Sequence, residues 1–368
     1  MIKSVMGRLR AARIAIAAVT AMGLLTVGCS TAPRSGEPPA TGTEGGSTAF
    51  DTATLGWSPS ALDAHLPGIV GWRQPTATGP GMLVVASKEG SPAVVWEAPD
   101  GVACRAVGLD ASRGTLACVV GALDGREFAE AAYLLGADGS VTDVALPDGY
   151  DTLSSFAFLA DGSALALVTR YGAESIESTI GLVARDGSWS EVALAGTLPA
   201  FQFVENLFAI PASDKIAVVL KTQGSPADRD DEALVIASYS AGLLTSLTPA
   251  YREDSLPNAV PLWGETGVLF VRTWGTHAPG EPVADLVKAV FANGQWQESV
   301  LVKDGDITTG IESGTVAVAG PDGLILVRSA GAEGEPQGSH LLQVGAAGVL
   351  TDARIDVADI SGLLWYVR

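Results

Sequence analysis

Short apolar segments separated by polar turns recur along the chain from about residue 80 to its end. Each is rich in Val, Leu and Ala, and none continues at the 3.6-residue period that a helix requires. We therefore predict β-strands at residues 82–87, 93–98, 115–120, 132–137, 164–169, 179–184, 215–220, 233–238, 268–273, 286–291, 324–329 and 340–344. Regular short strands with turn signals predict an all-β sandwich, barrel or propeller.

Two types of turn alternate along the chain and decide among these folds. Turns of the first type begin at residues 99, 137, 185, 240, 292 and 346, which places them 38, 48, 55, 52 and 54 residues apart. Turns of the second type lie between them, at residues 112–114, 160–162, 213–215, 265–267, 321–323 and 360–362. Two turns in each period of about 50 residues imply four strands per unit, which is the content of a propeller blade.

The two ends of the chain complete the ring. The segments at 82–87 and 93–98 are predicted as the third and fourth strands of a blade, and those at 353–360 and 363–367 as its first and second strands. Sharing one blade between the chain ends removes the open edge of the ring. We therefore predict a six-bladed β-propeller of four-stranded antiparallel blades over residues 81–368. Seven blades are the alternative if residues 68–72 form a strand.

Some repeats resemble those of the TolB-like propeller family, whose blades combine an aromatic residue, a Ser-Pro-Asp-Gly turn and an apolar strand. The segment Phe158-Leu-Ala-Asp-Gly-Ser-Ala-Leu-Ala-Leu-Val168 matches this pattern well. The segment beginning at Val318 lacks the aromatic residue, and the one beginning at Trp263 keeps only the Trp and the turn. The resemblance implies the propeller fold and a role in binding proteins.

The first 28 residues are organised like a secretory signal peptide. Four basic residues and no acidic one lie in residues 1–13, and an apolar run from Ile14 to Val27 follows, which is short for a membrane-spanning helix. The segment Leu25-Thr26-Val27-Gly28-Cys29 resembles a bacterial lipobox, although Thr26 stands where Leu is usual. The resemblance implies that Cys29 is lipidated and anchors the protein to the extracytoplasmic face of the cell membrane. An ordinary signal peptide and a retained membrane helix are the alternatives.

Net charge and composition characterise the chain beyond the signal peptide. Removal of that peptide lowers the basic residues from 22 to 18 against 41 acidic ones, so the formal net charge falls from −19 to −23. Such a chain lacks the basic patches that bind nucleic acid, and anionic lipid headgroups would repel it. Residues 29–50 are rich in Ser, Thr, Pro and Gly and predict a flexible spacer. Residues 51–80 predict an irregular lead-in.

Two further cysteines flank the turn at residues 112–114. Cys104 and Cys118 are predicted on adjacent strands of one hairpin. With Cys29 lipidated, two cysteines remain, and an extracytoplasmic location permits a disulfide. We therefore predict a Cys104–Cys118 disulfide, with two buried thiols as the alternative.

Recognised catalytic and metal-binding patterns are absent from the sequence. There is no G-x-S-x-G motif, and the three histidines are far apart, at positions 65, 277 and 340. The Asp-Gly pairs are predicted as hairpin turns. Asp228, Asp230 and Glu232 alternate like calcium ligands but lack the Gly and terminal Glu of an EF-hand loop, which predicts a solvated loop. We expect no cofactor and no metal.

Five long polar loops are predicted between the second and third strands of their blades, at residues 122–129, 170–178, 222–232, 273–284 and 329–339. They therefore lie on one face of the ring, where binding sites commonly occur. Tyr171, Trp274 and His277 are the candidate binding residues there. The sequence favours a non-catalytic protein-binding or scaffold module of the cell envelope. The alternatives are an extracytoplasmic lyase or glycosidase and a ligand-sensing lipoprotein, both using the propeller channel.

Overall fold

The chain divides into two compact units, Met1–Thr43 and Glu44–Arg368. The computed structural model describes residues of the second unit only, namely Trp57 and residues 68–73, 81–86, 91–98, 102–110, 115–124, 127–136, 138–171, 175–196, 198, 200–222, 232–253, 256, 259–276, 282–305, 317–328, 340–345, 349–357 and 360–366. The backbone alone is described at 102–107, 119–124, 127–130, 222, 273–276, 282–284, 304–305, 317–318 and 361–366. The predicted signal peptide, lipidation site and spacer lie outside the described residues.

The described residues form 26 β-strands, and the first eleven run to the end of the third blade. They are β1 Gly68–Arg73, β2 Met82–Ala86, β3 Ala93–Glu97, β4 Val102–Asp110, β5 Thr115–Asp124, β6 Glu127–Leu135, β7 Val141–Asp143, β8 Thr152–Phe158, β9 Ala164–Tyr171, β10 Ile176–Val183 and β11 Trp189–Glu191.

The remaining fifteen strands are accompanied by a 3₁₀ turn at Pro321–Gly323. They are β12 Ala193–Ala195, β13 Phe201–Ala209, β14 Lys215–Thr222, β15 Glu232–Ser240, β16 Leu243–Ser246, β17 Tyr251–Arg252, β18 Val260–Pro261, β19 Gly267–Thr276, β20 Pro282–Ala292, β21 Gln295–Gly305, β22 Ala317–Ala319, β23 Ile325–Arg328, β24 His340–Val344, β25 Leu350–Asp356 and β26 Ile360–Tyr366.

These strands form six sheets, each with four antiparallel strands in succession. Blade 1 has the order β26-β1-β2-β3, and blades 2 and 3 are β4–β7 and β8–β11. Blade 4 contains β13–β16, with β12 added in parallel to β16 and β17 paired with β15. Blades 5 and 6 are β18–β21 and β22–β25. The predicted all-β, six-bladed propeller is confirmed.

The ring closes through one strand from the end of the chain. The first strands of the blades contact one another in the sequence β26, β4, β8, β13, β18, β22 and back to β26, which makes them the inner strands of the ring. Blade 1 therefore takes its first strand from the C-terminal side and the other three from the N-terminal side. The expected division into two and two is wrong, because residues 350–356 form the outer strand of blade 6.

The propeller begins earlier in the chain than the sequence pattern indicates. Residues 68–73, assigned from the sequence to the lead-in, form β1 and pair with both β26 and β2. This strand completes blade 1 and does not open a seventh blade. Trp57, also assigned to the lead-in, is buried among residues of blades 1 and 2.

Six apolar clusters hold the ring together, one at each junction between neighbouring blades. Successive side chains of a strand point to opposite faces of its sheet, so alternate residues enter different junctions. In β5, Leu116 and Cys118 pack against blade 1, whereas Ala117 packs against blade 3. Since both faces of a blade are covered, its middle strands are continuously apolar, as in the buried segments 164–168 and 216–220.

The Asp-Gly pairs that begin at Asp138, Asp161 and Asp186 act as turns, as the sequence predicts. In three Asp-Gly-Ser turns the carboxylate accepts the backbone N–H of the Ser, and the N···O distances are 2.9 Å at Asp138, 2.9 Å at Asp161 and 3.0 Å at Asp186. The glycines that follow them have φ values of 87°, 86° and 80°, which favour glycine because it has no Cβ. Within the part of the chain that is described, no helix has the length and apolar character needed to cross a membrane.

Candidate functional site

The connections between the second and third strands of all six blades lie on one face of the ring, which we call the loop face. They follow Arg73 in blade 1, Asp124 in blade 2, Tyr171 in blade 3, Thr222 in blade 4, Thr276 in blade 5 and Arg328 in blade 6. The strands extend further than predicted, so only residues 125–126 separate β5 from β6, and the long loop predicted at 122–129 is a tight hairpin. Connections from each blade to the next emerge on the same face, because neighbouring strands within a blade are antiparallel.

The tip of blade 3 presents two apolar side chains on this face. Tyr171 ends β9, Ile176 begins β10, and the two residues are directly opposite each other in the antiparallel ladder. The exposed fraction is 59% for Tyr171 and 39% for Ile176. Sequence reasoning identified Tyr171 but missed Ile176, although the short connection between β9 and β10 could have paired them.

The chain segment that enters blade 3 is fastened beside this tip. The backbone N–H of Tyr171 donates to Oδ2 of Asp151 at 2.7 Å, and the N–H of Asp151 donates to the carbonyl of Thr169 at 3.0 Å. The hydroxyl groups of Tyr150 and Thr179 are hydrogen-bonded to each other at 2.6 Å. These contacts hold the acidic segment 148–151 against the end of β9.

The other two candidate binding residues are described less fully. Trp274 belongs to β19, opposite Val283, near the loop-face end of blade 5, and only its backbone is described. His277 lies outside the described residues. The structure therefore places Tyr171 and Trp274 toward the same face of the ring but in blades 3 and 5, which are separated by blade 4.

A basic and an acidic residue face each other near the loop-face end of three consecutive blades. The ladder pairs Arg170 with Glu177 in blade 3, Lys221 with Glu232 in blade 4, and Arg272 with Asp285 in blade 5. The basic residue follows an apolar run each time, as in LALVTR, AVVLK and LFVR, and this repeat is the signal that sequence reasoning missed. Opposite charges at paired positions favour this register of the strands.

Glu232 has the most strongly shifted pKa among the carboxyl groups of the described residues. Its side chain is buried, with 4% exposed, so the solvated position expected for it is wrong. Oε2 accepts the backbone N–H of Leu256 at 3.0 Å, and Oε1 lies 3.4 Å from Nζ of Lys221. Burial raises the pKa of the carboxyl group to about 7, and the nearby charge of Glu205 contributes in the same direction.

These carboxylates do not form a metal site with their neighbours. Across the described ranges, no three His, Cys, Asp or Glu residues are grouped so that they could hold a metal ion. Asp228 and Asp230 lie outside those ranges. Glu232 instead supports the backbone of the connection that leads from blade 4 to blade 5.

The register of blade 2 shows where the two cysteines of the predicted disulfide lie in the sheet. Cys104 in β4 is opposite Val120, and Cys118 in β5 is opposite Val107, with a β-bulge between Cys104 and Ala106. The two cysteines are therefore on adjacent strands, one diagonal step apart, and Cys118 is buried. The Cys104–Cys118 disulfide stays a prediction, as does the lipidation of Cys29.

Comparisons with known proteins return structural matches only. No family model matches the chain, and a search of curated proteins finds no match either. Among solved structures, the chain is similar to virginiamycin B lyase from Staphylococcus aureus, at 11% identity over 78% of this chain and 84% of that one, with a TM-score of 0.41.

Two further structures extend this comparison. A streptogramin B lyase is 13% identical over 78% of this chain and 82% of its own, with a TM-score of 0.42. Drosophila Semaphorin 2a is 8% identical over 71% of this chain and 62% of its own, with a TM-score of 0.34. At these identities and TM-scores we transfer neither function nor site residues from them.

Proposed function

We propose that the protein is a lipid-anchored β-propeller of the cell envelope that binds a partner protein through its loop face and is not an enzyme. The observation that carries the proposal is the tip of blade 3, where Tyr171 and Ile176 are exposed side by side. A large aromatic residue that exposes most of its surface at the end of a rigid strand is the kind of side chain that dominates protein interfaces.

The location within the cell is part of the same proposal. The basic, apolar and small residues of positions 1–28 support export, and the lipobox-like segment that ends at Cys29 supports lipidation. Two or more acyl chains would hold the protein stably at the membrane. The net charge of the mature chain disfavours contact with anionic headgroups, so the lipid would act as a tether. Kinship with the TolB-like propellers is also part of the proposal and rests on the repeats described above.

The competing proposal is an extracytoplasmic enzyme or ligand sensor that uses the channel. Its best-supported acid is Glu232, because a carboxyl group with a pKa near neutrality is a common feature of catalytic sites. Glu232 begins β15, however, which is the third strand of blade 4, whereas the first strands are the inner ones of the ring. Both oxygens of Glu232 already have partners within the fold, the Leu256 amide and the Lys221 ammonium group. This arrangement supports a structural role, and we therefore favour binding.

Crosslinking in intact cells followed by purification tests the binding face. The loop-face variant carries Tyr171→Ala, Trp274→Ala and His277→Ala, with residues 223–231 replaced by Asn-Gly. The matched control carries Asp214→Ala and Val349→Ser, which lie in turns of the opposite face. The wild type and the control should capture the same partners, and the loop-face variant should lose them. Capture of every partner by a folded loop-face variant would contradict the proposal.

Fractionation of the Cys29→Ala variant tests the anchor. The variant should be released into the extracytoplasmic fluid or the medium, whereas the wild type should remain in the membrane fraction until detergent is added. Retention of the variant in the membrane would refute lipid anchoring through Cys29. It would leave the loop-face proposal standing, because the two experiments use independent variants.

A further inference from the structure

The tip of blade 3 combines apolar and acidic groups in a small area. Within the described residues the exposed large apolar side chains are Val94, Tyr171, Ile176, Leu243, Leu247, Val300 and Val349. Only Tyr171 and Ile176 are directly opposite each other in a ladder. They therefore form a continuous apolar patch, in contrast to the scattered single residues that are ordinary on a protein surface.

An acidic segment lies beside this apolar pair. Asp151 is exposed and its Oδ2 accepts the Tyr171 N–H at 2.7 Å, and Asp148 is exposed three residues earlier on the same segment. Glu177 follows Ile176 in β10, so its side chain projects from the other face of the blade. Arg170 is directly opposite Glu177 and shares that other face, so these two charges offset each other and the acidic residues of the entering segment are left in excess. The tip is thus negatively charged, in keeping with a net charge of −19 for the whole chain.

The tip is also held in place before any partner arrives. Residues 164–168 of β9 are buried in the blade, and the ladder with β10 is continuous from Val183 to Ile176. The hydrogen bonds of Tyr150 with Thr179 and of Asp151 with the Tyr171 amide fix the neighbouring segment. A surface that is already ordered loses little conformational entropy on binding, and this favours affinity.

We propose that Tyr171 and Ile176 are the central contact for a segment of a partner protein that presents Lys or Arg beside apolar side chains. A cation can lie over the face of the tyrosine ring while the carboxylate of Asp151, which is held beside Tyr171, attracts it. The apolar neighbours of that cation cover Ile176 and the remainder of the ring. This inference rests on the proposed binding role of the loop face and adds the position of the contact and the chemistry of the partner.

Site-specific photo-crosslinking in the cells that make the protein tests the contact directly. A benzophenone amino acid replaces Tyr171 in the full chain, and a control chain carries it at Asp214, an exposed residue in a turn of the opposite face. Mass spectrometry then identifies the peptide that is crosslinked. Position 171 should give one recurrent segment of another protein that contains Lys or Arg next to apolar residues, and position 214 should not give it.

Substitutions then measure the energy of the contact with the partner so identified. Tyr171→Ala and Ile176→Ser should each weaken binding at least about tenfold, as expected of central interface residues. Asp151→Lys should weaken it further and should reduce its dependence on salt. Val349→Ser is the matched control, because Val349 has the same 59% exposure as Tyr171 but lies on the opposite face, and it should leave binding unchanged.

The outcomes separate this inference from the proposed function. If the loop-face variant loses its partners while Tyr171→Ala and Ile176→Ser retain them, the function stands and the contact site is wrong. Crosslinks from position 171 only to lipid, to copies of this chain or to segments without Lys or Arg would overturn the inference. An unfolding midpoint for each variant equal to that of the wild type ensures that the loss reflects the surface and not the fold.

Discussion

The backbone amide of Leu256 donates a 3.0 Å hydrogen bond to the buried carboxylate of Glu232. Leu256 belongs to the connection that leads from blade 4 to blade 5, and Glu232 begins β15 on the loop face. The carbonyl of Glu232 also accepts the N–H of Glu253 at 3.2 Å. One residue therefore holds this connection against blade 4 with both its side chain and its backbone.

Stability should depend on pH through this group. The carboxyl pKa is raised from 4.5 to about 7 by burial and by Glu205, so the folded chain holds a proton there that the unfolded chain releases. The protonated carboxyl group therefore contributes fully to the free energy of unfolding below pH 4.5, and this contribution is lost as the pH rises to about 7. Glu232→Gln should remove this dependence and stabilise the protein above pH 7 by up to about 3 kcal/mol.

Denaturant unfolding at pH 5, 6, 7 and 8 measures the effect as the difference in unfolding free energy between Glu232→Gln and the wild type. That difference should grow from pH 5 to pH 7 and then level off. Glu191→Gln, which changes an exposed carboxylate in β11, should show no such trend. In a Glu205→Gln background, the same difference in unfolding free energy should level off at a lower pH, because the pKa of Glu232 is then lower. A constant difference between Glu232→Gln and the wild type would show that this carboxyl group is not the titrating one.

A second polar network joins blades 4 and 5 and predicts a large loss of stability. Nε of Arg272 in β19 donates to Glu253 at 2.7 Å, and its Nη2 donates to Glu298 at 3.0 Å. Tyr251 donates to the other oxygen of Glu298 at 2.7 Å. Arg272→Ala should cost about 2–4 kcal/mol, because it leaves the carboxylate of Glu253, whose side chain is only 10% exposed, without its cation.

The matched control for Arg272 is an ion pair that does not cross between blades. Lys288 lies 2.6 Å from Glu265, within blade 5 and partly exposed. Lys288→Ala should cost less than about 1 kcal/mol, as is usual for surface pairs. Equal losses of unfolding free energy in the two variants would contradict a specific role for the interblade network.

Close packing at a glycine gives a third prediction. Gly181 in β10 lies under the indole ring of Trp189, and a Cβ at position 181 would overlap the ring. Gly181→Ala should therefore cost about 1–3 kcal/mol through overpacking. In a Trp189→Ala background the same change should cost almost nothing, so a double-mutant cycle should give a coupling energy of similar size. Independent, additive effects would rule out this packing explanation.

The fold could be predicted from the sequence because the turns and strands that define it are specified by short segments that recur along the chain. Asp-Gly turns such as Asp161-Gly162 punctuate apolar strands at a steady period, and the period alone implies four-stranded blades. The closing blade was harder, because the pairing of Ile360–Tyr366 with Gly68–Arg73 joins segments almost 300 residues apart. Nothing in a strand's own sequence states which distant strand it will pair with.

The candidate site was predictable only in part. Tyr171 is recognisable as an aromatic residue at the end of a strand, but the exposure of Ile176 depends on a register that the sequence does not state. Glu232 looks like one of several acids in a polar loop. Its burial follows from the packing of the segment around Leu256, which is 24 residues away in the chain.

Oxidation of the two blade 2 cysteines gives a fourth prediction. Secreted protein that is denatured and alkylated without reductant should leave Cys104 and Cys118 unmodified, and both should react once a reductant is added. A bridge closing a loop of about 15 residues is expected to stabilise the fold by about 3 kcal/mol. The paired change Cys104→Ser with Cys118→Ser should therefore lower the unfolding free energy by a similar amount. Alkylation of both cysteines before reduction would exclude the disulfide.

Trp57 gives the last prediction, since it makes part of the lead-in integral to the propeller. Its side chain is 9% exposed, its ring packs against that of Trp96 with the ring centres 6.1 Å apart, and its Nε1–H donates to the carbonyl of Gly136 in blade 2 at 2.9 Å. Trp57→Ala should cost about 3–5 kcal/mol, because it removes a large side chain from the junction of blades 1 and 2. Trp57→Phe should cost about 1 kcal/mol, chiefly the hydrogen bond.

Chains that begin at residue 51 or at residue 58 provide the control. The first should unfold like the mature protein, the second should lose as much stability as Trp57→Ala, and equal stability of the two would show that Trp57 contributes nothing to the junction.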